Sequence, residues 1–510
     1  MAWLTKSRFL SGRQCHKRLW FEIHRPLDQP VPPSVAILQG RVFDEFVQRL
    51  EPGVVISRDR GMPAAIAATS KLLAKGADAP ATLYQPAFRA RDLAIVADVL
   101  RRRGDTFELV EVKATTRVKE WHQADAAFQA LVLKGARIPV DRYFIGHVNN
   151  AFVLHRTGDY VGLLVEEDVT DEVERTLPET AQRAHEYLEI MASPSIPAVA
   201  VGPQCHDPYP CPFFERCTAG QTLADFPVDL LPRGGNTADE LVAEGYRDLR
   251  EVPFTRLTNE MHRRVHQATL SGTAYFDESA SAKLRQLPLP YAFLDFETVG
   301  FSVPEVIGTQ PFEQLPFQWS VHVERAPGDV RHQEYLAIES FGDFAALTRA
   351  LIDAIPSQGP VFAYNASFEK RVLNRLAELV PPHATALRGL AERLFDLLPV
   401  TRQAYYHRDM HGSWSIKAVV PTIAPELSYE SLDEVQEGDG AQLAFFKLRS
   451  RQLSQERDSV LRSALLRYCA HDTWVMVVLR RFLCAEPLRL GDDYPGVSRG
   501  VENSNRGMLG

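Results

Sequence analysis

The chain has 510 residues, 45% hydrophobic and 24% charged, which is ordinary for a globular protein and enough for about two to four domains with real cores. A net charge of −8 excludes an arm that coats nucleic acid indiscriminately, but it is compatible with a local basic groove or an acid-rich active site. Six cysteines make no disulfide framework, and neither a signal-peptide pattern nor a bilayer-spanning apolar run is visible, so a reducing, cytoplasmic setting without a membrane is expected.

Residues 1–222 read as a first α/β unit. Residues 41–50 carry Val42, Phe43, Phe46, Val47 and Leu50 on one face, as a helix would. Residues 83–88, 94–100 and 107–112 read as successive strands, with 101–105 as a hairpin turn. A helix at 120–133 follows, then a strand pair at 142–147 and 151–155 around Asn149-Asn150, then a long amphipathic helix at 169–191. Residues 223–287 differ in character: short amphipathic helices punctuated by Pro227, Pro232 and Pro253, without strand alternation, read as a helical connector. A further α/β unit is expected over 288–488, and residues 489–510, rich in Gly, Ser and Asn, read as a disordered tail.

Glu111 and Lys113 are two apart on a strand and therefore share a face. With Asp98 from the preceding strand, the carboxylates suit a divalent hard cation, and the lysine suits a water attacking a phosphodiester. Burying such charges without a metal is costly. A bare Glu-x-Lys on a solvated strand is common, so the pattern gains meaning from Asp98 and from the cysteines around it. Cys15 stands alone, while Cys205, Cys211 and Cys217 cluster in proline-rich, loop-like surroundings. Four thiolates fit tetrahedral zinc or an iron–sulfur cluster, and four buried free thiols are the plain alternative. The spacings are wider than those of zinc knuckles. Cys469 and Cys484 read as core residues and His206 as a surface residue.

In the later unit, an apolar strand at 291–298 ends in Asp295-x-Glu297, both acids on one face. A buried strand at 359–365 leads to Glu369, in the opening turn of a helix, and Tyr468 and Asp472 lie four apart on another. Residues 411–417 read either as a nucleic-acid contact in which Trp414 stacks a base, or as a turn and helix cap around a core tryptophan. Asp396 reads as a further ligand or a cap.

Two resemblances rest on these motifs. Asp98, Glu111 and Lys113, with Gln129 on the following helix, resemble the RecB-like branch of the PD-(D/E)XK nuclease superfamily. Ala97 stands in place of the proline of that name, Leu133 in place of the branch's tyrosine, and Asp44 in place of a metal-binding histidine. The one-plus-three cysteines resemble those of AddB-type helicase–nucleases and CRISPR-associated RecB-like exonucleases. That implies a [4Fe-4S] cluster on Cys15, Cys205, Cys211 and Cys217. Asp295, Glu297, Glu369, Tyr468 and Asp472 resemble the tyrosine subtype of the DnaQ-like DEDD exonucleases, with Glu369 where that family has aspartate.

The resemblances imply a restriction-endonuclease-like domain over 1–222 and an RNase H-like domain over 288–488, joined by the connector. They imply Mg2+ or Mn2+ on Asp44, Asp98 and Glu111 at one centre and on Asp295, Glu297, Glu369 and Asp472 at the other, with Tyr468 positioning the attacking water. The implied function is a metal-dependent nuclease on DNA, single-stranded or with free ends, in repair or defence beside a partner such as a helicase. RNA or a hybrid is the alternative substrate, and a nucleic-acid-binding scaffold with inactive centres is the alternative function.

Overall fold

In the computed structural model, which describes residues 2–29, 33–220, 224–432 and 434–488, the chain divides into two units. One comprises Met1–Gln221 with Gly300–Glu313, the other Thr222–Val299 with Gln314–Gly510. The expected tail at 489–510 lies outside the described residues. The fold is mixed α/β, and no described helix is long and apolar enough to cross a membrane.

The first unit runs β1 (Leu4–Thr5), α1 (Lys6–Gln14), α2 (His16–His24), α3 (Val35–Val47), β2 (Val54–Val55), α4 (Met62–Leu73), β3 (Thr82–Tyr84), β4 (Ala87–Ala90) and β5 (Leu93–Val96). It continues through β6 (Val99–Arg103), β7 (Thr106–Lys113), α5 (Glu120–Gly135), β8 (Val140–Val148), β9 (Leu164–Asp168), α6 (Thr170–Ala192) and α7 (Phe214–Thr218). A six-stranded sheet has the order β2-β3-β6-β7-β8-β9, and a smaller one β1-β5-β4. β7 and β8 are parallel, so the chain needs a crossover between them, and α5 supplies it. Phe107 and Leu109 of β7 share one core with Phe128 and Leu133 of α5, while Val110 and Val112 share another with Phe43 of α3. Period two then puts Glu111 and Lys113 on the α5 face, where the apolar residues of the strand run out.

Several expected strands are redrawn. The run at 83–88 breaks at Gln85, whose φ of 53° is left-handed, so β3 and β4 belong to different sheets. The run at 94–100 breaks at Ala97-Asp98, tied back by Ala97 N donating to Pro86 O (3.0 Å) and Gln85 N donating to Asp98 O (2.9 Å). Asp98 therefore occupies a junction between sheets. The hairpin turn is Gly104-Asp105 alone, with Gly104 at φ 62°, the sign a two-residue hairpin loop demands. Residues 151–155 form no strand, and the antiparallel partner of β8 is β9.

The second unit runs α8 (Gly235–Ala243), α9 (Glu260–Ser271), β10 (Tyr275–Phe276), α10 (Ala282–Arg285), β11 (Tyr291–Val299), β12 (Leu315–Ala326), β13 (Asp329–Leu336), α11 (Phe344–Ala354) and β14 (Val361–Ala363). It continues through α12 (Ser367–Leu379), α13 (Ala384–Glu392), β15 (Leu394–Asp396), α14 (Leu397–Ala404), β16 (Tyr405–Tyr406), α15 (Ile416–Val419), α16 (Gly438–Arg449) and α17 (Gln455–Leu483). Its sheet has the order β13-β12-β11-β14-β15, with β11 antiparallel to β12 and parallel to β14. The stretch read as a strand-free connector contains β10, which pairs antiparallel with β16. α17 is fastened to β12 by Gln318 Nε2 donating to Leu465 O (2.8 Å) and by Thr473 Oγ1 at 2.8 Å from both Ser320 Oγ and His322 Nδ1.

Candidate functional site

The first unit gathers charge at the end of β7. Glu111 is fully buried, and one of its oxygens, Oε1, contacts both Lys113 and Lys6, the latter at 2.6 Å. Lys113 Nζ also lies 2.7 Å from Asp125 Oδ2. Gln129 Nε2 donates to Glu111 Oε2 (2.6 Å) and to Asp125 Oδ1 (3.2 Å), leaving Gln129 Oε1 buried without a partner. Asp98 Oδ2 accepts from Val112 N at 2.8 Å. Asp98, Glu111, Lys113 and Gln129 are thus brought together, and Asp44 on α3 is close enough for its charge to couple with Glu111. Lys6 and Asp125 complete the cluster. Asp125 lies one turn before Gln129, a readable spacing; Lys6 comes from α1, and no motif marks it.

The two lysines divide this cluster electrostatically. Burial works against charge on Glu111, but Lys113 and Lys6 prevail and hold its carboxyl well below the ordinary range. Burial and the Glu111 charge push Asp98 up to about 8 and Asp44 up to about 6. Glu111 is therefore neutralised from within, while Asp98 and Asp44 are acids short of a cation. That donor set, with the vacant acceptor on Gln129, fits a hard divalent ion.

The four thiols line one small cavity together with Lys17, Arg18 and Phe21. Cys15 is the extended residue between α1 and α2, and Cys205 lies beside Cys211, whose N–H donates to Cys205 O at 2.8 Å. Gln14 Nε2 ties the two chain segments by donating to Gln204 O (2.8 Å) and Tyr209 O (2.6 Å). Burial raises the Cys211 and Cys217 thiols, and the neighbouring Cys15 and Cys205 add to the shift. All four are free. Tetrahedral zinc at a Zn–S distance of ~2.3 Å would draw its sulfurs to within ~3.8 Å of one another. Among the described residues, the ligand set whose atoms all lie within 4.8 Å is elsewhere, in the second unit. Trp20, Phe21 and Phe213 pack against Cys211 and Cys217, and His206 is exposed, as read from the sequence.

That tight set is Asp295 and Glu297 of β11 with Cys469 of α17. Cys469, expected as a core residue, is indeed buried, but its Sγ lies 3.7 Å from Asp295 Oδ2. Asp472, one turn past Tyr468, accepts hydrogen bonds from the hydroxyls of Tyr429 and Tyr468. Lys417 Nζ lies 5.0 and 5.1 Å from the ring centroids of those tyrosines. Glu369, in the first turn of α12, is 3% exposed with Oε2 buried and unpartnered. Burial pushes Asp295 well above the ordinary range, with Asp472, Glu297 and Glu369 adding their repulsion. Glu297 is raised in the same way by burial and Asp472; burial with Asp396 lifts Glu369 to about 8. Asp472 reaches about 6, burial being opposed by Tyr429 and Lys417.

Trp414 is buried, and its Nε1 donates to Tyr405 O at 2.8 Å, so it is a core residue and stacks no base. Ser415 Oγ caps α15, and the residue of this turn that reaches the acids is Lys417. Asp396 Oδ1 accepts from Asn365 N (2.9 Å) and Leu398 N (3.0 Å), which makes it a cap for α14. Nothing in the sequence marks Tyr429, since it opens a three-residue 3-10 turn, Tyr429–Ser431, far from any motif.

The described residues thus define a mixed α/β protein with two buried carboxylate centres and a thiol cavity. A family model described as a domain of unknown function, DUF2779, matches residues 292–415, a stretch that includes Asp295, Glu297 and Glu369. Among curated proteins, the chain is similar to the uncharacterized protein MG366 of Mycoplasma genitalium, 21% identical over 273 residues. That match covers 47% of this chain and 41% of the relative, so the chain spans less than half the relative's length.

Proposed function

We propose that this protein is a metal-dependent nuclease that hydrolyses phosphodiester bonds of DNA, single-stranded or with free ends, at two centres. The observation that carries the reading is the convergence of Asp295, Glu297, Glu369 and Asp472, four buried or half-buried carboxylates with Lys417 and Arg371 among the groups that oppose their charge. Such a cluster is unfavourable unless cations meet it, and its hard oxygen donors suit Mg2+ or Mn2+. The reading rests also on the resemblance to RecB-like and DnaQ-like nucleases.

Bound divalent ions would supply a polarised phosphoryl oxygen and an acidified water. The chain's own residues do the rest. At the second centre the four acids hold the ions, Tyr468 orients the water, and the Tyr429 hydroxyl fixes the rotamer of Asp472. At the first centre Asp44, Asp98 and Glu111 are the ligands, Lys113 orients the water, and Lys6 and Gln129 keep Glu111 in place. Zinc is the other group that four thiolates hold, but the one-plus-three cysteines resemble those of the iron–sulfur nucleases, and the four thiols line one cavity that suits a [4Fe-4S] cluster. Its part is to join Cys15 to the 205–217 segment. A role in repair or defence beside a helicase belongs to the same reading.

A nucleic-acid-binding scaffold is the second reading, favoured by Lys6 and Lys113 sharing one oxygen of Glu111 where a metal would compete. Degradation of a labelled single-stranded oligodeoxynucleotide with Mg2+ or Mn2+ tests the two. The nuclease reading expects Lys113→Ala and Asp295→Ala each to remove a separable part and the double variant to be inert. A double variant as fast as the unaltered protein, or an unaltered protein without activity on DNA or RNA, overturns it.

A further inference from the structure

The second unit also contains a groove that the acids alone do not explain. It encloses about 770 Å3 and is lined by the 229–233 turn, the Tyr364-Asn365 turn, Arg402 of α14 and the 411–417 turn. We propose that this groove binds a single-stranded polynucleotide and leads its backbone to the four acids; the inference rests on the nuclease reading and specifies the form of substrate for that centre.

Charge is the first ground. Arg233, Arg402 and Lys417 line the groove against one acid, Asp229. Several other arginines of this unit, Arg250, Arg256, Arg457, Arg462, Arg480 and Arg481, pair with carboxylates. Among the described residues, Arg233 and Arg402 have no such ion pair. Unpaired guanidinium groups on a concave wall suit phosphate oxygens, which they can bind in bidentate fashion.

Rigidity is the second. Arg233 is held at φ 53°, an uncommon conformation for a residue with a side chain. Gly412, at φ 74°, brings its backbone so close to the other wall that a Cβ there would lie 1.8 Å from Leu230 O. Only glycine permits that approach, and it locks the 411–417 turn to the 229–233 turn. The exposed His411 ring stacks on Phe226 with centroids 5.7 Å apart, leaving an aromatic face for a base.

Continuity with the acids is the third. Lys417 lines the groove and also lies over the rings of Tyr429 and Tyr468, which hold Asp472. Asn365 lines the groove and donates its N–H to Asp396, whose charge acts on Glu369. The volume is that of a small-ligand site, room for about one or two nucleotides of a single strand.

The test uses the full chain, with Ca2+ present to suppress hydrolysis, and oligothymidylate and oligouridylate carrying a photoreactive iodinated uracil. The expected cross-links map to peptides containing His411 or Tyr364. In Arg233→Glu/Arg402→Glu the groove cross-links fall by about tenfold, and the salt slope of that binding falls by about one per arginine. Melting temperature and Mn2+ affinity stay unchanged, which separates lost binding from lost folding. Cross-links confined to other peptides, or unaffected by the double substitution, overturn the groove. The two oligonucleotides report whether deoxyribose or ribose is preferred. Hydrolysis that depends on Asp295 but ignores both arginines sinks the groove and spares the nuclease reading. Groove cross-links without any hydrolysis do the reverse.

Discussion

Glu111 is fully buried yet stays ionised, because two ammonium groups meet one of its oxygens while Gln129 donates to the other. Removing one partner of a buried pair costs about 3–5 kcal/mol when the remaining charge is stranded. Lys6→Ala strands nothing, since Lys113 and Gln129 still hold Glu111, so chemical denaturation is expected to show a smaller loss of about 1–3 kcal/mol. A loss as large as that of Lys113→Ala, which also deprives Asp125 of its closest cation, would contradict this division of labour. Lys6 was illegible in the sequence for a plain reason: it meets Glu111 across 105 residues, whereas Glu111 and Lys113 are two apart on one strand.

Tyr429 acts one step from the proposed metal ligands. Its hydroxyl fixes Asp472, so Tyr429→Phe is expected to weaken Mn2+ binding at the second centre by roughly 10–100-fold, as loss of such orienting groups does. Unchanged affinity in a calorimetric titration would remove Tyr429 from the account.

Glu369 gives a pH signature. Burial raises it from 4.5 to about 8, so the folded chain keeps a proton that the unfolded chain releases. Its contribution to metal-free stability is greatest below pH about 4 and declines as pH rises towards about 8. Glu369→Gln remains neutral, so its melting temperature is expected to gain on that of the metal-free parent as pH rises from about 5 to about 8. A gap that stays constant or narrows across this window would show that Glu369 is not held protonated.

At the scale of elements, α17 carries the second centre. It spans 29 residues, starts at a Ser454 cap and brings Tyr468, Cys469 and Asp472 to β11 within little more than a turn. Thr473, on the neighbouring face, fastens it to Ser320 and His322 of β12. Thr473→Val would leave two buried polar groups short of a partner, and a loss of about 1–3 kcal/mol is expected from equilibrium denaturation. A neutral substitution would mean that packing alone sets the register of α17.

This helix was legible because period and motif agree: apolar residues surround a Tyr-x3-Asp pair that must share a face. The strands of the first unit were less so. Their apolar runs continue through the breaks at Gln85 and Ala97-Asp98, and nothing local marks where the chain changes sheets. The alternation at 151–155 imitates a strand, yet β8 pairs with β9 beyond it, a choice made by tertiary pairing rather than local pattern. The 411–417 sequence suits either a nucleic-acid contact or a turn around a core tryptophan, and burial of Trp414 decides for the core.

At the scale of the whole molecule, each unit has its own acidic centre, and the thiol cavity belongs to the first alone. α1 begins with Lys6 and is followed at once by Cys15, so one short helix connects the thiols with the Glu111 cluster. Protein purified without oxygen is expected to be brown, with about four irons and four sulfides per chain, and Cys211→Ser is expected to lose that colour while the second centre keeps its Mn2+ affinity. A colourless chain with one tightly held zinc would overturn the cluster assignment.

The nuclease proposed here requires both acidic clusters to be metal centres. Titration of the metal-free full chain with Mn2+ at neutral pH, followed by the spin-resonance signal of free Mn2+, tests this directly. Two classes of saturable site are predicted, one removed by Asp98→Ala with Glu111→Ala and the other by Asp295→Ala with Asp472→Ala. Mn2+ that remains free in the unaltered protein, or binding that survives all four substitutions, would contradict it.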